Sequence, residues 1–386
     1  MTLRIAAICA YPEGLNTGML SVDAALPSAL SRILSQGWKL DLFTIEDAVR
    51  VGPQEGPRHV EYGVLARRRQ LLDYDRILYW GDFLQSRRYH QRSVQRRGGL
   101  RWAVDQPEEA IRRVHRLLLL EDAPADLLRR VICFGNSNYI NSAEDESDAR
   151  YMAAIGRLYT EARLVLQRDP YSAQNALRYA PTRGDGLLGV DCAFLLRPGA
   201  ELAWPRWQGG GIQPGERRGL GFSFGRAMAG NPAALEASRQ LAQDFAEALG
   251  LEAVDLDWLR PDRTDPLRGL AAKLEAINRC MVVVSDTYHC ALNAWREGVP
   301  AVCIGLGLEA PQTTLSEKKK ELAFAMLGLR DFYIYGEHVT APDRRRRAVE
   351  RIVPLLRDAA LLDRQRAGIA SLTGSAERRL AAALVE

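Results

Sequence analysis

The chain has 386 residues, more than the roughly 250 to 300 at which a single hydrophobic core stops growing, so two domains are expected. Apolar residues make up 47% and charged residues 26%, a balance that excludes a disordered or fibrous chain. The 52 Lys and Arg nearly match the 48 Asp and Glu, and a net charge of +4 gives no whole-molecule field of the kind that draws in nucleic acid.

Short apolar runs alternate with longer helical ones, the pattern of parallel strands joined by crossover helices. The first strand, Leu3 to Cys9, begins without an apolar signal region, and no later apolar run approaches the ~20 residues of a membrane span. A cytoplasmic protein is therefore expected. A helix from Val22 to Leu34 is followed by strands at Lys39 to Thr44 and Arg76 to Trp80. A helix from Glu108 to Leu120 is opened by Asp105 as N-cap and Pro107 in the first turn. Strands at Arg130 to Phe134, Arg163 to Leu166 and Asp191 to Leu196 complete the first half. The aperiodic segment after Arg197, with Pro198, Pro205, Pro214 and the triplet Gly209 to Gly211, reads as a linker over residues 198–219.

The alternation restarts at 220 and runs to 341: strand Leu220 to Phe224, helix Pro232 to Leu249, strand Ala253 to Leu256, helix Pro266 to Ile277, then Met281 to Ser285, Tyr288 to Glu297 and Ala301 to Ile304. From Pro342 to the end the chain reads as helix, expected to pack back on the first domain, residues 1–197. The arginine clusters Arg67 to Arg69 and Arg344 to Arg347 read as solvated helix faces. Six cysteines lack any CxxC pair and read as reduced core residues, and His59, His115 and His338 form no cluster at metal-site spacing, so no metal is expected.

The segment Val282 to Gly305 fits a strand, turn, helix, cap and strand in succession. Ser285 and Asp286 supply oxygens for the first helical N–H groups, Gly298 occupies the C′ position and Pro300 stops the helix. In an open α/β sheet ligands bind beyond the carboxyl ends of the strands, where helix N-termini favour anions. His289 lies in that first turn and can supply a proton or a hydrogen bond.

At these residues the chain resembles the polysaccharide pyruvyl transferases, whose second domain carries a Ser-x-Arg-x-His-like turn and a helix ending in Gly-Val-Pro. The equivalents are Ser285, Asp286, Thr287, Tyr288 and His289, then Gly298, Val299 and Pro300. Further matches are Asn16-Thr17-Gly18, Tyr79 to Phe83, Gln167 to Ser172 and Gly189 to Leu196, in the family's order. The resemblance implies a GT-B-like fold, two Rossmann-like doubly wound α/β domains facing across a cleft, and transfer of pyruvate from phosphoenolpyruvate to a sugar or glycan. The family's arginine two residues before the histidine is Thr287 here, so other cations have to hold the anionic donor.

On this reading His289 and Asp82 are catalytic, and Ser223, Arg226, Ser285 to Tyr288 and Lys318 surround the donor phosphate, with Lys319 and Lys320 in the same lysine run. Asn16, Gly18, Gly81, Asn136, Asn138 and Arg168 face the acceptor, while Arg168 with Asp169 also reads as a structural ion pair. No bound cofactor is implied beyond phosphoenolpyruvate as co-substrate. The alternatives are a glycosyltransferase-like enzyme using a nucleotide-linked sugar and a catalytically silent binding protein.

Overall fold

The computed structural model describes residues 2–9, 16–35, 37–45, 49–51, 60–91, 107–138, 141–183, 186–197, 217–226, 231–262, 264–306 and 315–386. Within the first half the elements are β1 (Leu3–Ile8), α1 (Thr17–Ile33), β2 (Trp38–Thr44), β3 (Val49–Val51), β4 (Val60–Val64), β5 (Arg76–Trp80), α2 (Pro107–Leu118), α3 (Ala125–Leu128), β6 (Val131–Asn136), α4 (Ala143–Glu146), α5 (Ala149–Glu161), β7 (Leu164–Gln167) and α6 (Pro170–Tyr179). The sheet order is β3-β4-β2-β1-β5-β6-β7, with only β3 antiparallel to its neighbour. Taken in chain order, the six parallel strands give 3-2-1-4-5-6, the Rossmann arrangement, whose direction reverses between β1 and β5.

Burial explains why these strands hold. Ile5 to Ile8 and Ile77 to Trp80 are fully enclosed, and each large apolar side chain so placed stabilises the fold by about 1.5 to 3 kcal/mol. The indole of Trp80 donates to the carbonyl of Val22 at 2.7 Å, so α1 is tied to β5 by a satisfied buried polar group as well as by packing.

The second half contains β8 (Leu220–Ser223), α7 (Pro232–Leu249), β9 (Ala253–Asp255), α8 (Pro266–Asn278), β10 (Val282–Ser285), α9 (Tyr288–Arg296), β11 (Ala301–Gly305), α10 (Leu315–Met326), β12 (Tyr333–Tyr335), α11 (Gly336–Thr340), α12 (Pro342–Arg357) and α13 (Ala359–Val385). Its all-parallel sheet runs β12-β11-β10-β8-β9 and reverses between β8 and β10. Both sheets are doubly wound, so the fold is the GT-B-like pair of Rossmann-like domains.

Three expectations change. Asp191 to Leu196 is not a strand: Asp191 accepts from the N–H of Ala193 at 3.0 Å and caps a 3₁₀ turn, Cys192–Leu195. Its apolar residues are fully buried under α1, and burial on every side imitates a core strand in sequence. The last two helices also part company. α12 stays on the second domain, where Arg345 pairs with Asp244 at 2.8 Å. α13 returns to the first, with Glu377 pairing Arg32 at 2.7 Å and Arg76 donating to the carbonyl of Ala383. The strands β3, β4 and β12, of three to five residues each, have no counterpart in the sequence reading. Asp105 lies outside the described residues, as does most of the linker.

Candidate functional site between the two domains

Helix α9 begins at the carboxyl end of β10, on the switch point of the second sheet. The hydroxyl of Ser285 accepts from the N–H of Thr287 at 3.0 Å and donates to the carbonyl of Ser223 at 2.7 Å, locking the strand-to-helix turn. Asp286 does not cap its own helix. Its carboxylate accepts instead from the backbone N–H groups of Gly225 and Arg226, each at 3.0 Å, and so fixes the loop that follows β8. These contacts aim Tyr288 and His289 at the first domain.

The first domain answers with Asp191, Arg168 and Asp82. Asp191 Oδ2 lies 3.6 Å from His289 Nε2, accepts from the hydroxyl of Tyr288 at 3.2 Å and lies 3.4 Å from the Arg168 guanidinium. Arg168 also reaches Asp82 at 3.7 Å. Asp82 follows β5 at the switch point of the first sheet with a φ of +50°, a left-handed conformation that costs a residue with a side chain about 1 kcal/mol or more. The preceding Gly81, at φ +73°, takes the same region without that cost.

Two cations and two aromatic faces border this contact. The Arg168 guanidinium is 4.8 Å from the ring centre of Phe83 and 6.0 Å from that of Tyr288, while Lys319 Nζ, on α10, is 5.4 and 5.1 Å from the same rings. Cations over ring faces are attracted by the ring quadrupole, more strongly when water is excluded. Burial, reinforced by Arg168 nearby, lowers the Lys319 ammonium to about 8.

Burial is also the main reason the His289 imidazole is held below its ordinary 6.5, with Lys319 and Arg168 adding to that effect against the pull of Asp191. Burial opposes ionisation of Asp191 as well, yet His289, Arg168 and the N–H of Ala193 outweigh it and keep the carboxyl well below the usual range. Because Arg168 is a permanent cation, an ionised Asp191 beside a neutral His289 is the consistent resting state. Such a pair can accept a proton on the imidazole and stabilise the charge that results.

Gly18, in the first turn of α1, completes the enclosure. A Cβ there would lie 2.8 Å from both Cβ and Nδ1 of His289, so the ring rests against backbone where only glycine leaves space. Deeper in the same interface, Asn293 of α9 donates to Ser21 of α1 at 3.0 Å.

Several expected site residues have other duties. Asn16 caps α1 by accepting from Met19 N–H. Asn136 donates to the carbonyl of Gly81, and the Asn138 amide donates to Tyr159 inside the first domain. Ser223 accepts from Trp258 N–H at 3.3 Å, and Thr287 donates to Asp286 at 3.2 Å. Arg168 pairs with Asp191 and Asp82, not with Asp169, whose carboxylate caps α6 and accepts from Ser137. Arg226 is exposed, and the side chain of Lys318 lies outside the described residues. Asp191 and Phe83 were missed as site residues, although Asp191 heads the Asp-x-Ala-Phe-Leu segment that carried part of the resemblance. Among the described residues, no group of three His, Cys, Asp or Glu side chains is placed to hold a metal, and no helix is long and apolar enough to cross a membrane.

No protein-family model matches the chain, and no curated protein matches it. Among solved structures it is similar to a trehalose-6-phosphate synthase, at 12% identity over 98% of this chain and 97% of that one, with a TM-score of 0.46. It is also similar to a UDP-GlcNAc 2-epimerase from Neisseria meningitidis bound to UDP-GlcNAc, at 10% identity over 100% of both chains and a TM-score of 0.46. The glycotransferase of kitacinnamycin shows 15% identity over 99% of this chain and 98% of that one, with a TM-score of 0.41. At these values the fold assignment stands on the strand order and crossover pattern of the chain itself.

Proposed function

We propose that the chain is a transferase that moves a group from a phosphate-bearing donor to a sugar or glycan acceptor, with a nucleotide-linked sugar as donor. The observation that carries this reading is the convergence of Asp191, His289, Arg168 and Lys319 from both domains at the carboxyl ends of the strands. Neutral His289 removes the proton from the acceptor hydroxyl as that oxygen attacks the sugar carbon. Nε2 faces Asp191, which leaves Nδ1, beside Gly18, for the acceptor. Departure of the nucleoside diphosphate places negative charge on its terminal oxygen, and Arg168 and Lys319 are the cations near enough to offset it.

Thr287 favours this donor over phosphoenolpyruvate, because α9 begins without the bidentate cation best suited to a compact carboxylate and phosphate. Pyruvyl transfer is the second reading, supported by the sequence resemblance and by Arg168 and Lys319, which reach the ring of the adjacent Tyr288 and can stand in for that arginine. Thermal-shift titration with a panel of nucleotide sugars and with phosphoenolpyruvate separates them, since a ligand at 100 times its dissociation constant adds about 2.7 kcal/mol. A shift with nucleotide sugars alone, followed by release of nucleoside diphosphate, is expected. A shift with phosphoenolpyruvate alone, followed by phosphate release, selects pyruvyl transfer; no shift with any donor rejects both.

A further inference from the structure

A second concave site lies on the first domain, at the opposite ends of the strands. The loop and 3₁₀ turn Arg68–Leu71 enter β5 from its N-terminal end, and the last turns of α2 pass beside them. Between them is a pocket of about 640 Å³, lined by Arg67, Arg68, Arg69, Arg113 and Arg116 and by one carboxylate, Asp122. Asp82 and the interdomain contact lie past the other end of β5, a five-residue strand that spans roughly 17 Å. This pocket is therefore separate from the proposed reaction site.

The sequence alone makes the triplet Arg67 to Arg69 look like a solvated helix face; Arg67 and Arg69 are exposed, and the fold places the triplet with two arginines of α2 around one open hollow. Arg68 donates to the backbone carbonyl of Glu121 at 2.7 Å, which neutralises nothing, and the contact of Arg116 with Glu109 at 3.4 Å is a solvent-exposed pair of the weak kind. Leu72, half exposed, and Leu117 supply an apolar wall. The volume falls in the range of small-molecule sites and is too large for a single phosphate.

We propose that this pocket binds an organic ligand bearing two or more phosphate groups, with the guanidinium forks on the phosphates and the apolar wall against the ligand body. Arginine suits this chemistry because its planar donor pair matches two phosphate oxygens at once. The phosphate can belong to a soluble ligand or to a lipid headgroup presented at a surface.

The test is calorimetric titration of the full chain with inorganic pyrophosphate, alongside co-sedimentation with vesicles containing cardiolipin, whose headgroup carries two phosphates. Arg69→Gln with Arg116→Gln is the pocket variant, and Arg168→Gln controls for pyrophosphate entering the interdomain site. The expected result is binding that weakens tenfold or more in the pocket variant, at an unchanged melting temperature, and is retained in Arg168→Gln. Binding to vesicles alone, lost in the same pocket variant, assigns the phosphate to a lipid headgroup. The proposal is overturned if the wild-type chain binds neither probe, if the pocket variant binds as well as wild type, or if Arg168→Gln, still folded at the assay temperature, alone abolishes binding. None of these readouts depends on turnover, so the proposed reaction can fail while the pocket stands.

Discussion

Asp191 and His289 meet across the domain boundary at 3.6 Å, one from a capped 3₁₀ turn of the first domain and the other from the first turn of a helix in the second. Neither domain alone contains the pair, so its chemistry exists only while the domains are apposed. His289→Asn is expected to lower turnover by about 100-fold or more, as loss of a proton-transfer group does, with the fold retained. Asp191→Asn is expected to lower turnover similarly and also to reduce stability, by less than the roughly 3 to 5 kcal/mol of a fully unpaired buried charge, because Arg168 loses one ionised partner and keeps Asp82. Turnover and thermal unfolding of both variants check this. Near-normal turnover in folded His289→Asn would remove the imidazole from the chemistry.

Gly18→Ala places a methyl group against the His289 ring at 2.8 Å, closer than real contacts allow. Turnover should fall at least tenfold through displacement of the ring or opening of the interface, with a modest stability loss of the overpacking kind, about 1 to 3 kcal/mol. In a His289→Gly background the same substitution should cost little stability, because both the Cβ and the ring it would meet are gone. A double-mutant cycle on the melting data measures that coupling, and strict additivity would show that Gly18 and His289 are not in contact.

The pH dependence of kcat/KM should be bell-shaped. His289 acts as a base in its neutral form and its pKa is held below 6.5, so the acid limb lies under that value. Lys319 holds the donor in its charged form and loses its proton at about 8, which gives the alkaline limb. Lys319→Arg, cationic throughout, should move the alkaline limb upward. An unchanged limb in that variant would assign it to another group.

Acid should weaken the first domain through His90 and His115, whose rings lie 5.2 Å apart in its core. Burial lowers His90 from 6.5 to about 3, with His115 adding to the effect, and lowers His115 to about 4. Arg87 and Arg150 further disfavour the charged forms, while Glu121 and Asp148 favour that of His115. Both rings are neutral in the folded chain while the unfolded chain takes up protons below 6.5. Their contribution to stability is full above 6.5 and falls as the pH drops toward 4 and then 3. At pH 5 each ring costs on the order of 2 kcal/mol. Neither ring nitrogen of His115 has a hydrogen-bond partner among the described residues. His115→Phe should therefore remove part of the drop in melting temperature between pH 7 and pH 5; an equal drop in that variant would place the acid sensitivity elsewhere.

The sequence by itself determined the second domain from β8 to β11, because β8, β10 and β11 are short, mostly buried apolar runs and the helices between them carry their own starts and stops. Pro232 and Pro266 open α7 and α8, and Gly250 and Gly298 close α7 and α9 in left-handed conformations at +69° and +72°. Such punctuation is local, and a linear reading can find it. The placement of His289 in the first turn of α9, at the carboxyl end of β10, was legible for the same reason. What only the tertiary structure decided is which groups face one another. Arg168 could have paired with its neighbour Asp169, but the first turn of α6 claims that carboxylate through Ser172 N–H at 2.8 Å, and Arg168 turns to Asp82 and Asp191 instead. Asp191 is 98 residues from His289 along the chain and 3.6 Å from it in space. Spacing in sequence carries no record of that approach, because it follows from two separate sheets docking at their switch points, and docking depends on the shapes of whole domains.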